Sequence, residues 1–292
     1  MPDSRELDID LGDPRLYRDD SWRPPFARLR REDPVHFHPE SPYGPYWSVT
    51  RYADIMKVEL DHGTYSSAQE LGGIQIADQP LGSSLPNFLR MDPPRHTAQR
   101  KTVAPIVAPS NLANMEGLIR ERTEAVLDGL PRGEVFDWAD RVSTELTAMM
   151  LATLFDFPQA DRRKLTHWSD VAIANIAGED AVVKSEAERM AELREMGRTM
   201  AALWQERAAR PPKFDLVSMM AHSEATQNMP MNEFIGTFGL LIVGGNDTTR
   251  NSMSGALLAL AAHPEQLAKV RDRKSTRLNS SHVSESRMPS SA

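Results

Sequence analysis

Residues 234–260 read FIGTFGLLIVGGNDTTRNSMSGALLAL, a long apolar run with a polar centre at Gly244, Gly245, Asn246, Asp247, Thr248 and Thr249. The apolar flanks predict a helix buried on most sides. The centre works against burial: each glycine costs a helix interior about 1 kcal/mol relative to alanine, and a desolvated carboxylate such as Asp247 is costly unless it is paired. A helix with a purely structural task gains nothing from such a centre. Two readings stand. In the first, the glycine pair lets a bulky flat group press on the backbone because no Cβ intervenes. The Thr248 hydroxyl is then freed to face a cavity, with a local bulge in the helix, and Asp247 passes protons inward. In the second, the run is a kinked core helix whose Asp247 is capped by an arginine.

Working outward, the pattern is helical almost everywhere after Pro94. Helices are predicted at 95–108, 111–130, 138–156, 159–176, 181–209, 215–223, 231–262 and 264–272, with Asn111 and Asp137 as N-caps and a brief strand at 134–137. Upstream, a polar arm runs to about Asp33 with one short helix near 24–31. Strands at 35–38 and 47–50 flank a turn-rich stretch, and an amphipathic helix covers 51–61. A long loop with scattered apolar residues fills 63–94. The fold class is mainly α with small β elements. Residues 274–292, KSTRLNSSHVSESRMPSSA, are serine-rich and aperiodic and interrupt a helical stretch. They read as a foreign or disordered tail, leaving 1–273 as the folded portion.

The chain has 292 residues, 26% of them charged, and a formal net charge of −7. That balance argues against a general nucleic-acid partner. The only apolar run of membrane-spanning length is interrupted by Asp247 and Arg250, so it reads as buried in protein, and a cytoplasmic location is expected. There is no cysteine, which excludes a disulfide scaffold and any thiolate in these residues. No phosphate loop, HExxH or GxSxG is present. His36 and His38 alternate along a strand and share a side, but a metal site wants a third ligand, and without one they read as surface histidines.

A second constellation is MDPPRHTAQRK, 91–101. His96 and Arg100 are four apart on a helix and share a face. The pair suits a carboxylate-bearing ligand, through a guanidinium fork and a ring N–H; the alternative is a solvated basic face.

Together LLIVGGNDTTRN and MDPPRHTAQRK resemble the cytochrome P450 superfamily, the haem-thiolate monooxygenases, over essentially residues 1–273. The resemblance implies a cytochrome P450 fold cut off after its distal, oxygen-activating helix. It places Gly244 and Gly245 over the face of haem b. It makes Asp247 and Thr248 the acid–alcohol pair that supplies protons during dioxygen activation, and His96 and Arg100 the partners of the haem propionates. SPYGPYWSVTRYADIMKVE (41–59), the run from Arg90 to Gly133 and LATLFDFP (151–158) look closer still to soluble bacterial alkane and fatty-acid terminal hydroxylases. Hydroxylation of a medium- or long-chain hydrocarbon or acid at its terminal carbon is implied, with a sterol side chain or terpene as the alternative substrate. Ile74, Ile76, Leu85 and Phe88, with Leu240 and Val243, are candidates for an apolar substrate wall. Electrons from NAD(P)H would arrive through a ferredoxin and its reductase.

The departure from the family is its missing iron ligand. The family's cysteine and the Glu-x-x-Arg helix before it are absent; Glu265 and Lys269 do not replace the latter. The thiolate is what favours O–O cleavage, so the 292 residues alone are expected to be inactive and not to hold haem. A non-catalytic helical module for an apolar ligand or a partner protein is the rival reading.

Overall fold

The computed structural model describes residues 9–76, 85–176, 178–179 and 181–272; the tail expected at 274–292 lies outside them. Two compact units divide between Thr97 and Ala98.

The first unit holds α1 (Pro14–Arg18), α2 (Arg23–Glu32), the antiparallel strands β1 (Val35–His38) and β2 (Tyr46–Val49), and α3 (Tyr52–Leu60). Asp13 caps α1, its carboxylate accepting from Arg15 N, with Pro14 in the first turn. The hairpin pairs His36 with Ser48 and His38 with Tyr46. Strand period two puts both histidines on one side, as expected, but that side is buried where surface histidines were expected. His36 is hydrogen-bonded to Asp33 and His38 to Ser48, and the His38 ring stacks on Tyr46 at 4.2 Å. Burial and a hydrogen bond to Asp10 push the Tyr46 hydroxyl up to about 12. Burial and the hydrogen bonds to Asp33 and Ser48 make the histidine pair part of the core; among the described residues no group of three potential ligands could hold a metal ion.

The second unit is helical. α4 (Arg95–Val103) crosses the boundary between the units. After it come α5 (Pro109–Asp128), α6 (Glu145–Phe155), α7 (Arg163–Ile173), α8 (Glu186–Ala208), α9 (Leu216–Ala221), α10 (Met231–Ala262) and α11 (Pro264–Arg271). A π-helical segment, Ala139–Thr144, leads into α6. The core gathers on the amino-terminal half of α10. Phe234 and Phe238 lie 4.6 Å apart, Trp204 of α8 meets Phe234 at 5.2 Å, and Phe155 of α6 meets Phe238 at 6.0 Å. Gly197 lets α8 approach closely, since a Cβ there would sit 2.8 Å from Ile235 Cγ1. Met196, Met200, Leu165 and Ile242 complete an interior with no solvent exposure, each such side chain contributing about 1.5–3 kcal/mol by burial.

Three local expectations fail. Residues 134–137 form no strand; Gly133, in the left-handed region at φ +78°, turns the chain into the π segment instead. Asn111 does not cap α5, which starts at Pro109; its amide donates back to the Ile106 carbonyl from within the first turn. The helix expected from 181 starts at Glu186, because Ser185 accepts from Glu188 N and stops the chain there. Asp137 does cap, accepting from Asp140 N at 3.1 Å.

An ion cluster ties the end of α6 to the end of α8. Asp156 pairs with Arg207 at 2.6 Å and with Lys213 at 2.7 Å. Burial pushes the Asp156 carboxyl up, but the Lys213 hydrogen bond and the Arg207 charge outweigh it and hold it below the ordinary value. A carboxyl depressed on folding adds stability above its unfolded value of about 3.9, lost as pH falls through the lower folded value. Urea unfolding of Asp156→Asn is therefore expected to show less stability than wild type near pH 7 and a gap that narrows below about pH 4. Asp215, pushed up by burial, acts with the opposite sign.

Candidate functional site

α10 is helical without interruption from Met231 to Ala262, so the bulge expected at its centre is absent. What marks the centre is a change of surroundings. Glu233 through Phe238 are buried; from Gly244 onward one edge is open, with Gly244, Thr248, Asn251, Ser252, Gly255 and Leu258 all exposed. Their steps of three and four residues make one continuous strip along the helix.

The glycine pair splits across this geometry. A Cβ on Gly244 would meet nothing within 4 Å, whereas one on Gly245 would sit 2.7 Å from Leu151 Cδ2 of α6. Adjacent helical residues point about 100° apart, and here the two point into different surroundings. Gly244 alone offers bare backbone to a ligand; Gly245 instead lets α6 pack closely.

Thr248 lies on the open strip one turn beyond Gly244. Its hydroxyl is not free, as expected from the sequence, but donates to the Gly244 carbonyl at 2.8 Å. Ser252 repeats this, donating to the Thr248 carbonyl at 2.7 Å. With its hydrogen turned inward, Thr248 presents oxygen lone pairs outward and accepts rather than donates.

Asp247 faces a different neighbour. Its Oδ1 accepts from Arg250 Nη2 at 2.9 Å and from Asn251 Nδ2 at 3.1 Å, and the same arginine nitrogen reaches Asp170 of α7. The arginine-capped reading of Asp247 is thus the observed one, although without a kink. Arg250 and Asp170 were missed from the sequence; the three-residue spacing of Asp247 and Arg250 was the available signal. Asn246 is fully buried, and neither of its amide atoms is hydrogen-bonded.

On α4, His96 is half-buried, with its ring centroid 6.5 Å from that of Phe88. Arg100 is exposed one turn later and makes no ion pair among the described residues. Between them Gln99 points inward, donating to Glu233 of α10 at 2.6 Å and anchoring the helix. Nearby, Asp92 accepts from Ser66 Oγ and from Ser67 N, which ties down the long loop; the Ser66 hydrogen bond holds its carboxyl below the ordinary value. Of the apolar candidates, Phe88 is buried and Leu85 half-buried, Ile74 and Ile76 are about half exposed, and Leu240 and Val243 are half-buried on α10. A cleft of about 570 Å3 among α5, α6 and α7, lined by Val126, Leu130, Glu145, Met149 and Arg162, contains none of these residues.

A flat macrocycle fits the open strip of α10: bare backbone at Gly244, a hydroxyl at Thr248 and no side chain to displace at the first position. A thiolate for a central metal is not among the 292 residues.

No family model matches the chain. Linalool 8-monooxygenase of Pseudomonas putida is 34% identical over 277 residues, covering 90% of this chain and 66% of that protein. The steroid C26-monooxygenase of Mycobacterium tuberculosis is 28% identical, over 88% of this chain and 61% of the relative. The chain thus spans just under two thirds of the length of these curated relatives. Among solved structures, cytochrome P450-153 from Novosphingobium aromaticivorans is 46% identical, with a TM-score of 0.78 over 89% of this chain and 65% of that one. CYP153D17 from a Sphingomonas species is also 46% identical, at a TM-score of 0.79 over 91% and 66%. No helix among the described residues is long and apolar enough to cross a membrane.

Proposed function

The chain belongs to the cytochrome P450 superfamily, whose members carry haem, and from that premise we propose that it is the amino-terminal portion of a bacterial cytoplasmic monooxygenase acting on an apolar substrate. Residues 1–273 are assigned to the P450 domain and 274–292 to a foreign tail. The observation that carries the reading is the open strip of α10, where Gly244 gives a porphyrin bare backbone and Thr248 brings a hydroxyl to the same edge. When bound, the haem supplies activation of dioxygen and insertion of one oxygen atom into a C–H bond.

The chain's own residues bind, orient and move protons. His96 and Arg100, one turn apart on α4, hold the two propionates; the Arg100 guanidinium makes no ion pair among the described residues that a propionate would have to displace. Leu240 and Val243, beside Gly244 on α10, keep water from the substrate. Asp247 takes protons from solvent and Thr248 passes them on, its hydroxyl rotating away from the Gly244 carbonyl to donate. Breaking that hydrogen bond costs about 1 kcal/mol, small beside the roughly 100- to 10,000-fold that a positioned proton donor contributes. Electrons arrive from NAD(P)H through a ferredoxin and its reductase.

An alkane or fatty acid, hydroxylated at its terminal carbon, is the substrate class we favour. It is supported by the apolar character of the candidate wall and by the likeness of residues 41–59, 90–133 and 151–158 to bacterial terminal hydroxylases. A terpene or steroid side chain is the second reading, supported by the linalool and steroid relatives.

The iron ligand tests the assignment. Hemin added to the 292-residue polypeptide, reduced and exposed to carbon monoxide, is expected to give no absorption band of thiolate ligation. The same residues joined to a thiolate-bearing remainder are expected to give that band, with spectral shifts on adding long-chain alkanes or fatty acids. A thiolate band from the polypeptide alone, or none from the joined protein, would overturn the reading.

A further inference from the structure

The cleft among α5, α6 and α7 lies apart from the open strip of α10. Leu151 of α6 is the side chain that meets Gly245. Met149, which lines the cleft, precedes Leu151 by two residues, about 200° around the helix. The cleft therefore opens on the side of α6 turned from α10. Its volume of about 570 Å3 is that of a small-molecule site, and Val126 and Leu130 of α5 with Met149 give it an apolar floor. Arg162 and Arg163 line it too, but both are engaged. They donate to Glu145 at 2.8 and 2.9 Å, and Arg163 also reaches Asp140 at 3.0 Å.

Arg122 is placed differently. It precedes the lining residues Ala125 and Val126 by three and four positions, on the same edge of α5. Its Nη1 donates to the Met149 carbonyl and to Thr153 Oγ1, which sets the guanidinium at the Met149 end of the cleft. Nε and Nη2 donate to no described residue, and no described carboxylate pairs with this half-buried side chain. Burial pulls its pKa below the ordinary value; the Glu121 charge opposes this and the Arg162 charge adds to it. A sheltered cation gains by acquiring an anion, and the bare Nε–Nη2 edge is a fork that a carboxylate takes with two parallel hydrogen bonds. Arg141, exposed and also lining the cleft, makes no ion pair among the described residues. Four arginines thus surround a cleft holding two carboxylates, in a chain of net charge −7.

We propose that this cleft is a second small-molecule site, which binds an aliphatic carboxylate with its head on the Nε–Nη2 edge of Arg122 and its chain along Val126, Met149 and Leu130. A carboxylate suits it better than a phosphate, because one free edge supplies two N–H groups and one positive charge, leaving a dianion half uncompensated. The inference does not depend on the reading of α10.

The test uses the full-length enzyme containing these residues, with an azole held on the iron so that the haem-side hollow is closed. Calorimetry reads the affinities of decanoate, decanol and decyl phosphate. Decanoate is expected to bind about tenfold or more tightly than decanol, and decyl phosphate no more tightly than decanoate. Arg122→Gln is expected to weaken decanoate about tenfold or more and to leave decanol unchanged, a split that general loosening of the cleft would not give. Ala125→Asp, at an exposed position three residues along the helix, sets a carboxylate beside Arg122 and is expected to weaken decanoate by a similar factor. It disturbs no buried contact, so it decides the matter if Arg122→Gln, which alters the tie to Met149, does not fold. Absence of decanoate binding with the azole in place, equal affinity for decanol, tighter binding of decyl phosphate, or unchanged decanoate affinity in Ala125→Asp overturns the proposal.

Discussion

Replacing Thr248 with alanine in the full-length enzyme is expected to lower product formed per dioxygen consumed by about tenfold or more, with the missing electrons and protons leaving as hydrogen peroxide. The geometry makes this a chemical loss. Thr248 is exposed on the open strip, and its one side-chain hydrogen bond runs within its own helix, to Gly244. Alanine is the better helix former by a few tenths of a kcal/mol, so the urea midpoint should hold or rise while coupling collapses. Two further variants separate shape from chemistry. Thr248→Val keeps the branched outline without the hydroxyl and is expected to behave like alanine. Thr248→Ser keeps the hydroxyl and its Gly244 acceptor and is expected to retain most of the coupling. Oxygen uptake, peroxide yield and product, measured together, decide among these outcomes. A coupled Thr248→Val would remove the hydroxyl from the mechanism.

The second large effect is a change of sign between adjacent residues. Gly244→Ala adds a methyl to open space and relieves a helix-interior glycine, so the haem-free protein is expected to gain up to about 1 kcal/mol. Gly245→Ala drives a methyl against the Leu151 side chain, which is 2% exposed and has little room to yield; a loss of about 1–3 kcal/mol is expected. Chemical denaturation reads both. The haem-loaded enzyme should reverse the ranking at Gly244, where leucine in place of glycine is expected to reduce haem occupancy while leaving the haem-free fold intact. Leu151→Val should recover part of the Gly245→Ala loss, since the two side chains share one space. Equal effects at both glycines would mean that neither faces a distinct environment.

Much of this was legible in the sequence for a physical reason. α10 is long and strongly periodic, and its bounds at Met231 and Ala262 coincide with those expected. Period two placed His36 and His38 on the same side before any coordinates did. The ends of helices were harder, because caps compete over a few residues. Ser185 with Glu188 marked the true start of α8, and Pro109 that of α5, yet the apolar pattern pointed elsewhere. The glycine pair is more instructive. Adjacent residues on a helix point about 100° apart, which allows Gly244 and Gly245 separate tasks; the packing of Leu151 against Gly245 assigns them. Arg250 stood three residues from Asp247, at ion-pairing distance along a helix. Asp170 is 80 residues away in sequence, and no local pattern connects it to the site; only packing of α7 on α10 does.

The successive hydroxyl-to-carbonyl bonds on α10 bear on hydration. Gly244 O and Thr248 O each take a second donor from a side chain one turn on, so these carbonyls have less need of solvent. Water over that edge is held by fewer strong acceptors than a bare helix would offer, and it leaves at lower cost when an oily molecule arrives. Ser252→Ala, which strips one such internal donor, should therefore bind long-chain ligands more weakly although it makes the surface more greasy.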